Sequence, residues 1–261
     1  MRISYRDQPT KEYWNARWTG IDPDMSMENH DVYPLKYAEL TVKDKNGAIL
    51  EAGCGAGRLL RYYHERGFNC TGIDYIEIAI KKLKEVDPTL HVEVGDIKKL
   101  RFPDKSFKYV LAFGLYHNLE HGLQHAIDET YRVLIEDGFV CASFRADNLQ
   151  NRLIDYLAER KSRNKNGLKI FHKLNLTKRE FKKLFKDSGF EITEIYPVEN
   201  MPFLYKFGFF RSEDHKIFDE NKARKEGYRL SLLGQKIQNL LMRIFPDQFC
   251  NIYVLIAHKV R

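Results

Sequence analysis

The chain has 261 residues, of which 43% are hydrophobic and 30% are charged, and its formal net charge is +7. This length and this balance of residues predict a globular protein with its own hydrophobic core and exclude a disordered or fibrous one. The first residues lack the apolar core of a signal peptide, and no apolar run could span a bilayer. The cysteines are widely spaced, at Cys54, Cys70, Cys141 and Cys250, which favours a reducing compartment. We therefore expect a cytoplasmic protein without a transmembrane segment.

Between residues 47 and 146, short apolar runs alternate with amphipathic stretches, which predicts parallel strands joined by crossover helices. The predicted strands cover residues 48–52, 68–74, 91–94, 109–113 and 139–144, and the predicted helices cover 58–66, 76–84 and 125–134. Apolar positions at helical spacing support the helices, as with Ile76, Ile80 and Leu83 on one face of the second helix. The core of the chain is therefore expected to be α/β.

The pattern changes after residue 146. Residues 146–175 predict a basic helical excursion, and the capping box from Thr177 to Glu180 predicts a helix that ends at Gly189. The remaining elements are two strands and an insertion between them, expected at 191–196, 251–258 and 197–250. The insertion combines an aromatic segment with an amphipathic helix. Residues 1–40 have no partner in the expected sheet and are predicted to form a lid or cover.

Positive charge is concentrated between residues 151 and 190, where twelve Lys and Arg residues stand against four Asp and Glu. A basic segment of this kind can contact nucleic acid, an anionic lipid or a phosphorylated substrate. A solvent-exposed helix face explains the same composition more simply. The basic segment alone therefore does not indicate a function.

A glycine-rich turn, from Gly53 to Gly57, follows the first strand of the predicted α/β core. Glycines at this position let the backbone approach a ligand closely at the start of a helix. A dinucleotide-binding fingerprint counted from Gly53 would need glycine or alanine where Arg58 stands, and the Gly-Lys-Ser/Thr ending of a P-loop is absent. Both of these nucleotide sites are therefore disfavoured.

The turn belongs to a series of four motifs. Glu51 stands two residues before the alternating glycines, and Asp74, Asp96 and the segment 113–119 follow later predicted strands. In this order the motifs resemble those of the class I S-adenosylmethionine-dependent methyltransferases, in particular the type 11 methyltransferases. The resemblance implies a Rossmann-like seven-stranded sheet, mostly parallel with the last strand antiparallel, with helices on both faces and an inserted cap. It assigns residues 41–261 to this domain, with substrate-side insertions at about 146–175 and 197–250.

The same resemblance implies that S-adenosylmethionine is the cofactor and S-adenosylhomocysteine the product. In this family an acid at the end of the second strand accepts hydrogen bonds from the ribose hydroxyls, and a later acid reads the adenine amino group. The residues expected to bind the cofactor are Glu51, Gly53, Cys54, Gly55, Gly57, Asp74, Tyr75, Asp96, Ile97, Phe113 and Tyr116.

Methyl transfer from a sulfonium requires an in-line nucleophile and exclusion of water, so positioning supplies much of the catalysis. If the acceptor is a hydroxyl, a general base assists, and His117 is the candidate because it follows the carboxyl end of the strand at 109–113. The alternative, that His117 only shapes its loop, has equal support.

Several absences narrow the subclass. The Asn/Asp-Pro-Pro-aromatic motif of adenine and glutamine N-methyltransferases does not follow the strand at 109–113, where Phe113, Gly114, Leu115 and Tyr116 stand instead. That strand also lacks the terminal aspartate with which catechol-type enzymes hold magnesium, so we expect no metal. The cysteines do not occupy the position of a nucleophile that attacks cytosine.

These observations predict a methyltransferase that acts on a small or lipid-linked metabolite, at a hydroxyl oxygen. The aromatic segment 203–210 has three interpretations: a packed cap, the wall of an apolar pocket, or a membrane-surface contact. One alternative function is an RNA methyltransferase that binds phosphates through residues 151–186. A second is a non-catalytic adenosylmethionine-binding or activator subunit.

Overall fold

The computed structural model describes residues 1–6, 9–21, 23, 26–162, 170–219 and 226–260. The strands in these ranges are β1 (Arg2–Arg6), β2 (Ile49–Ala52), β3 (Cys70–Asp74), β4 (His91–Val94), β5 (Phe107–Ala112), β6 (Leu134–Arg145), β7 (Ile170–Asn175), β8 (Phe190–Val198) and β9 (Ile252–Lys259). The α-helices are α1 (Thr10–Gly20), α2 (Leu35–Thr41), α3 (Arg58–Glu65), α4 (Glu77–Val86), α5 (Leu123–Val133), α6 (Leu149–Ser162), α7 (Lys178–Asp187), α8 (Leu232–Ile244) and α9 (Pro246–Phe249).

A seven-stranded sheet in the order β4-β3-β2-β5-β6-β9-β8 forms the centre of the molecule. The strands from β4 to β6 run parallel, and β9 runs antiparallel to both of its neighbours, β6 and β8. The predicted seven-stranded sheet with an antiparallel last strand is therefore confirmed. This order brings the carboxyl ends of β2, β3 and β5 to one edge, where open α/β sheets bind ligands.

The central strands are largely apolar because helices cover both faces of the sheet, with Glu51 in β2 and Lys108 in β5 as exceptions. Successive residues of a strand point to opposite faces, so Leu50 and Val110 belong to one buried cluster and Ile49 and Leu111 to the other. Helices α5 and α7 pack on the first face, and α2, α3 and α4 pack on the second. The capping box at Thr177 is confirmed, since its hydroxyl accepts a hydrogen bond from the Glu180 amide at the start of α7.

The helical excursion predicted at 146–175 is helical over α6 but not over its last six residues. After α6 the chain returns as β7, which pairs antiparallel with β1 in a separate two-stranded sheet. The pairing sets Ser4 opposite Lys173 and Arg6 opposite Ile170. Because the partner strand lies more than 160 residues away in sequence, a local pattern rich in lysine could not reveal the pairing. Residues 163–169 lie outside the described ranges.

Within the insertion, three short 3₁₀ turns precede α8. Phe203 packs against Phe207 and Phe249, and Tyr205 packs against His215. The aromatic side chains of 203–210 therefore contact one another and the adjoining parts of the insertion. Residues 220–225 of the insertion lie outside the described ranges. Among the described residues, no helix is both long enough and apolar enough to cross a membrane.

Candidate active site

A cavity of about 820 Å³ opens at the carboxyl ends of the parallel strands. The motif residues line one half of it, and the other half is lined by the amino-terminal segment, β7 and the start of the insertion. Ligand pockets in proteins measure roughly 300–1,000 Å³. The cavity is therefore large enough for a nucleoside-sized cofactor together with a small second molecule.

The glycine-rich turn forms the floor of the first half. Gly53, Gly55 and Gly57 have φ angles of 76°, 52° and 76°, which L-residues with a side chain rarely adopt. A Cβ atom on Gly55 would lie 2.6 Å from the Trp18 ring, and one on Gly57 would lie 2.5 Å from Leu83. Both the backbone conformation and the close packing therefore require glycine. Helix α3 begins directly after the turn.

Asp74, the last residue of β3, holds this turn in place. Its Oδ2 accepts a hydrogen bond of 2.9 Å from the Gly55 amide, and its Oδ1 accepts one of 2.9 Å from the Ile76 amide. Burial raises the pKa of the Asp74 carboxyl. The carboxylate has lone pairs beyond the two that these amides use, and it lines the cavity, so it can also accept hydrogen bonds from a ligand.

Glu51 is the most unusual carboxyl group in the cavity. It is 7% exposed, and its Oε2 has no hydrogen-bond partner among the described residues. Burial raises its pKa to about 8, against an ordinary 4.5. A backbone hydrogen bond from Leu60 and the charge of Arg58 offset this burial only in part, so a cationic ligand group beside the carboxylate would reduce the remaining penalty. The Glu51 position therefore suits a ligand that carries positive charge.

The remaining predicted cofactor residues lie around this centre, with one exception. Asp96 is exposed at the edge of the cavity, and its Oδ1 accepts a hydrogen bond of 2.9 Å from the Lys98 amide. The ring of Phe113 packs edge-on against Tyr33 at 5.5 Å. Cys54, Tyr75 and Ile97 line the same cavity.

Tyr116 is the exception, because it is fully buried in the core and does not line the cavity. Its hydroxyl lies 2.6 Å from the Thr130 hydroxyl, and its ring packs against Phe185. The 3₁₀ turn at Tyr116–Asn118 directs Tyr116 into the core and His117 into the cavity. The expectation of a cofactor contact at Tyr116 is thus not supported by its position.

His117 lies where the two halves of the cavity meet. The side chain is 6% exposed, and its Nδ1 has no hydrogen-bond partner among the described residues. Burial, together with Lys173, Arg145 and His172, lowers the pKa of His117 well below its ordinary value. The imidazole is therefore neutral at neutral pH, and one ring nitrogen has no partner among the residues that the structure describes. Because the nearby cations oppose its protonation, it is a weaker base than an ordinary histidine.

Helix α1 covers the glycine-rich turn. Trp14 and Trp18 stack with their ring centroids 5.6 Å apart, and Arg17 lies over both rings. The Lys82 ammonium donates hydrogen bonds of 3.0, 2.8 and 3.0 Å to the carbonyl oxygens of Trp18, Thr19 and Ile21. These carbonyls end α1, so the lysine fixes the carboxyl end of the helix to α4.

Comparison with known proteins agrees with this geometry. Residues 50–142 match the family described as "Methyltransferase domain". That segment contains the glycine-rich turn, Asp74, Asp96 and His117. Over these residues the chain carries a domain of the class I S-adenosylmethionine-dependent methyltransferase type. S-Adenosylmethionine is the cofactor of this family.

Two curated relatives match the chain over part of their length. It is 26% identical over 178 residues to a probable S-adenosylmethionine-dependent methyltransferase from Mycolicibacterium smegmatis, a match that covers 67% of the chain and 65% of the relative. It is 31% identical over 94 residues to the malonyl-[acyl-carrier protein] O-methyltransferase of Salmonella typhimurium, covering 36% and 37% of the two chains. The chain therefore spans less than two thirds of the length of these curated relatives.

The structure of an S-adenosylmethionine-dependent methyltransferase from Methanosarcina mazei superposes with a TM-score of 0.58 and 18% identity, over 88% of this chain and 99% of that one. At this level of identity the match shows a shared fold. The amino-terminal 49 residues, β7 and the insertion all lie outside the segment matched by the family. The family match therefore does not cover the residues that line the second half of the cavity, which we call the acceptor side.

Four cationic residues that the sequence did not single out as site residues line the acceptor side, namely Arg6, Arg145, Lys173 and Lys206. They come from β1, β6, β7 and a 3₁₀ turn of the insertion. Lys173 was counted only as one charge of a basic segment. No local signal in the sequence connects β7 with Arg6.

One group of metal-ligating side chains occurs among the described residues, at Asp214, His215 and Glu226 in the insertion. None of the three lines the cavity. The Arg229 guanidinium lies 3.5 Å from an Asp214 oxygen and 3.6 Å from a Glu226 oxygen, so both carboxylates already have a cation beside them. This group plays no part in the candidate site.

Proposed function

We propose that this chain is an enzyme that transfers the methyl group of S-adenosylmethionine, by in-line displacement, to a small or lipid-linked metabolite in the cavity. The observation that carries the proposal is the unpartnered, buried Glu51 oxygen beside a glycine-rich turn that tolerates no side chain. A site built in this way fits a ligand with a cationic centre and a backbone-bound nucleoside. S-Adenosylmethionine has both features, and its sulfonium supplies an electrophilic methyl group when bound.

The residues of the first half would hold the cofactor. Glu51 would accept hydrogen bonds from, or lie beside, a positively charged group, and Asp74 would accept from the ribose hydroxyls as in other family members. Asp96, Tyr75 and Ile97 would surround the adenine. Helix α1, which Lys82 fixes over the turn, would exclude water from the reacting centre.

The acceptor would enter from the other half and reach His117. A neutral imidazole can accept the proton that a hydroxyl acceptor loses as its oxygen gains the methyl group. Nδ1 of His117 is buried and has no hydrogen-bond partner among the described residues, and we assign the role to this nitrogen. This assignment supports a hydroxyl oxygen as the methylated atom.

The alternative of an RNA substrate receives less support. Arg152, Lys178 and Lys183 of the basic segment each lie within ion-pair distance of an aspartate, with separations of 2.8, 3.3 and 2.5 Å. Lys173 lines the cavity instead of an outer surface. The described part of the segment therefore offers fewer free charges to a phosphate backbone than its composition suggests.

The test is to incubate the purified protein with methyl-labelled S-adenosylmethionine and a lysate separated into RNA, protein, lipid and small-molecule pools. We expect label in the small-molecule or lipid pool. Label in RNA that ribonuclease removes would establish the RNA alternative. Calorimetric binding of S-adenosylmethionine with no label in any pool would establish the non-catalytic alternative.

A further inference from the structure

The acceptor side of the cavity has a strong excess of positive charge. Arg6, Arg145, Lys173 and Lys206 line it, and Arg17 lies nearby on α1. Five carboxyl groups line the whole cavity, at Glu51, Asp74, Asp96, Glu120 and Asp155. The first three belong to the cofactor side, and Glu120 is exposed. Asp155 is therefore the carboxylate that faces the cations.

Asp155 is already occupied. Arg145 donates two hydrogen bonds to it, of 2.7 and 2.8 Å, and Arg2 donates a third of 2.8 Å. This bidentate pair holds Arg145 in a fixed orientation at the end of β6. In the described part of the chain, no carboxylate forms an ion pair with Arg6, Lys173 or Lys206. Among the described residues, the charge of Asp155 offsets that of Lys206 only in part, and Arg6 and Lys173 have no carboxylate within ion-pair distance.

The four cations converge from distant parts of the sequence. The β1–β7 ribbon carries Arg6 and Lys173, and the 3₁₀ turn Phe203–Lys206 brings Lys206 to the cavity from the insertion. Lys173 is half-buried, whereas Arg6 and Lys206 are exposed at the mouth. Like charges repel, so bringing them together is unfavourable unless a ligand of opposite charge binds between them.

The positive charges on this side of the cavity lower the pKa values of the basic side chains among them. Burial and the charges of Arg145 and Arg6 lower the pKa of Lys173 to about 7. Burial and the same arginines, with Lys173, lower the pKa of His172 to about 2. His117 lines the same cavity, and the charges of Lys173 and Arg145 also contribute to lowering its pKa.

We propose that the methyl acceptor carries an anionic oxygen group, a carboxylate or a phosphate, that binds to Lys173, Arg6 and Lys206 and places the acceptor beside His117. This inference rests on the proposed methyl transfer and defines its substrate class. The anionic group acts as a handle that orients the molecule. It also distinguishes acceptors from the neutral metabolites that share the same nucleophile.

A change in protonation follows from the same arrangement. The groups that face Lys173 are Arg6, Arg17, Arg145, Lys206, His117, His172 and the paired Asp155. An anion bound among them favours the charged form of Lys173 and so raises its pKa. Binding therefore takes up a proton above neutral pH, and the affinity falls as the pH rises through the pKa of free Lys173.

The experiment titrates inorganic sulfate and succinate into the S-adenosylhomocysteine-loaded protein at constant ionic strength, since neither probe titrates near neutral pH. We expect one or both to bind, with sulfate reporting a tetrahedral phosphate-like site and succinate a carboxylate site. Lys173→Met is expected to weaken binding roughly tenfold to hundredfold, the loss typical of a hydrogen bond to a charged group. Lys206→Met, at the exposed mouth, should act in the same direction and serves if Lys173→Met does not fold.

Lys183→Met is the matched control, because it also removes one positive charge but lies on the outer face of α7 beside Asp187. Calorimetry at about pH 8 in two buffers of different ionisation enthalpy should show proton uptake in the wild type and none in Lys173→Met. The inference is overturned if neither anion binds, or if Lys183→Met weakens binding as much as Lys173→Met.

The labelled-methyl assay separates this inference from the proposed function. Small molecules are divided by ion exchange into neutral, cationic and anionic pools, and we expect label in the anionic pool. Label confined to a neutral or cationic pool overturns the anionic acceptor and keeps methyl transfer. Anion binding that depends on Lys173, with no label in any pool, supports the anion site and overturns methyl transfer.

Discussion

Replacing Glu51 with glutamine should make the protein more stable and a poorer cofactor binder at the same time. The pKa of this carboxyl is about 8 in the folded chain and 4.5 ordinarily. A raised carboxyl pKa destabilises the fold at every pH above the unfolded value, with the full penalty reached once the pH exceeds the folded value. At pH 7 the difference corresponds to about 3 kcal/mol. Glutamine has the same shape and carries no such penalty.

Binding should change in the opposite direction. A cationic cofactor group beside Glu51 needs the ionised carboxylate, and Glu51→Gln removes that charge. The expected loss of affinity for S-adenosylmethionine is roughly tenfold to hundredfold. Below the folded pKa the carboxyl must first lose its proton, so wild-type affinity should rise as the pH increases toward about 8. The variant should lose this pH dependence.

Two measurements test the reasoning, thermal unfolding of the ligand-free protein and calorimetric titration with S-adenosylmethionine and S-adenosylhomocysteine. An equal loss for both ligands would place the Glu51 contact at a group they share, and a larger loss for S-adenosylmethionine would place it at the sulfonium. Glu85→Gln is the control, because Glu85 is exposed on α4. Unchanged cofactor affinity in Glu51→Gln, or a lower melting temperature, would refute the assignment.

Three further changes test other parts of the site. Gly55→Ala places a Cβ 2.6 Å from the Trp18 ring at a positive φ, so calorimetry should show at least a roughly tenfold weaker cofactor affinity. A second change, Trp18→Ala, should restore part of that affinity. The control is Gly208→Ala, whose Cβ would meet nothing within 4 Å and which should bind the cofactor normally. His117→Ala should lower kcat roughly a hundredfold with cofactor affinity unchanged if His117 is the base, and kcat equal to that of the exposed His91→Ala control would assign it a structural role. Lys82→Met removes three hydrogen bonds to the end of α1, so stopped-flow measurements should show several-fold faster dissociation of the cofactor. The control is Lys81→Met, which changes the exposed neighbouring lysine. Equal dissociation rates in the two variants would mean that α1 does not act as a lid.

The sequence by itself determined the sheet and the cofactor side of the cavity. Mainly apolar runs such as 48–52, which Glu51 interrupts, and 109–113 are typical of strands buried on both faces, and the structure places β2 and β5 there. The glycines of the turn, Asp74 and Asp96 lie within a few residues of strand ends. Because each of them is positioned by the strand that precedes it, spacing along the chain was enough to bring them together.

The acceptor side was decided by the tertiary structure. Arg6 reaches the cavity because β1 pairs with β7, and Lys206 reaches it because the insertion returns over the sheet. Tyr116 and His117 are adjacent in sequence, yet a 3₁₀ turn sends one into the core and the other into the cavity. A sequence records residue types and local periodicity, whereas contacts between distant segments depend on how the whole chain buries its apolar surface. Such contacts bring the cations of the acceptor side together, so only the fold could reveal that they line one cavity.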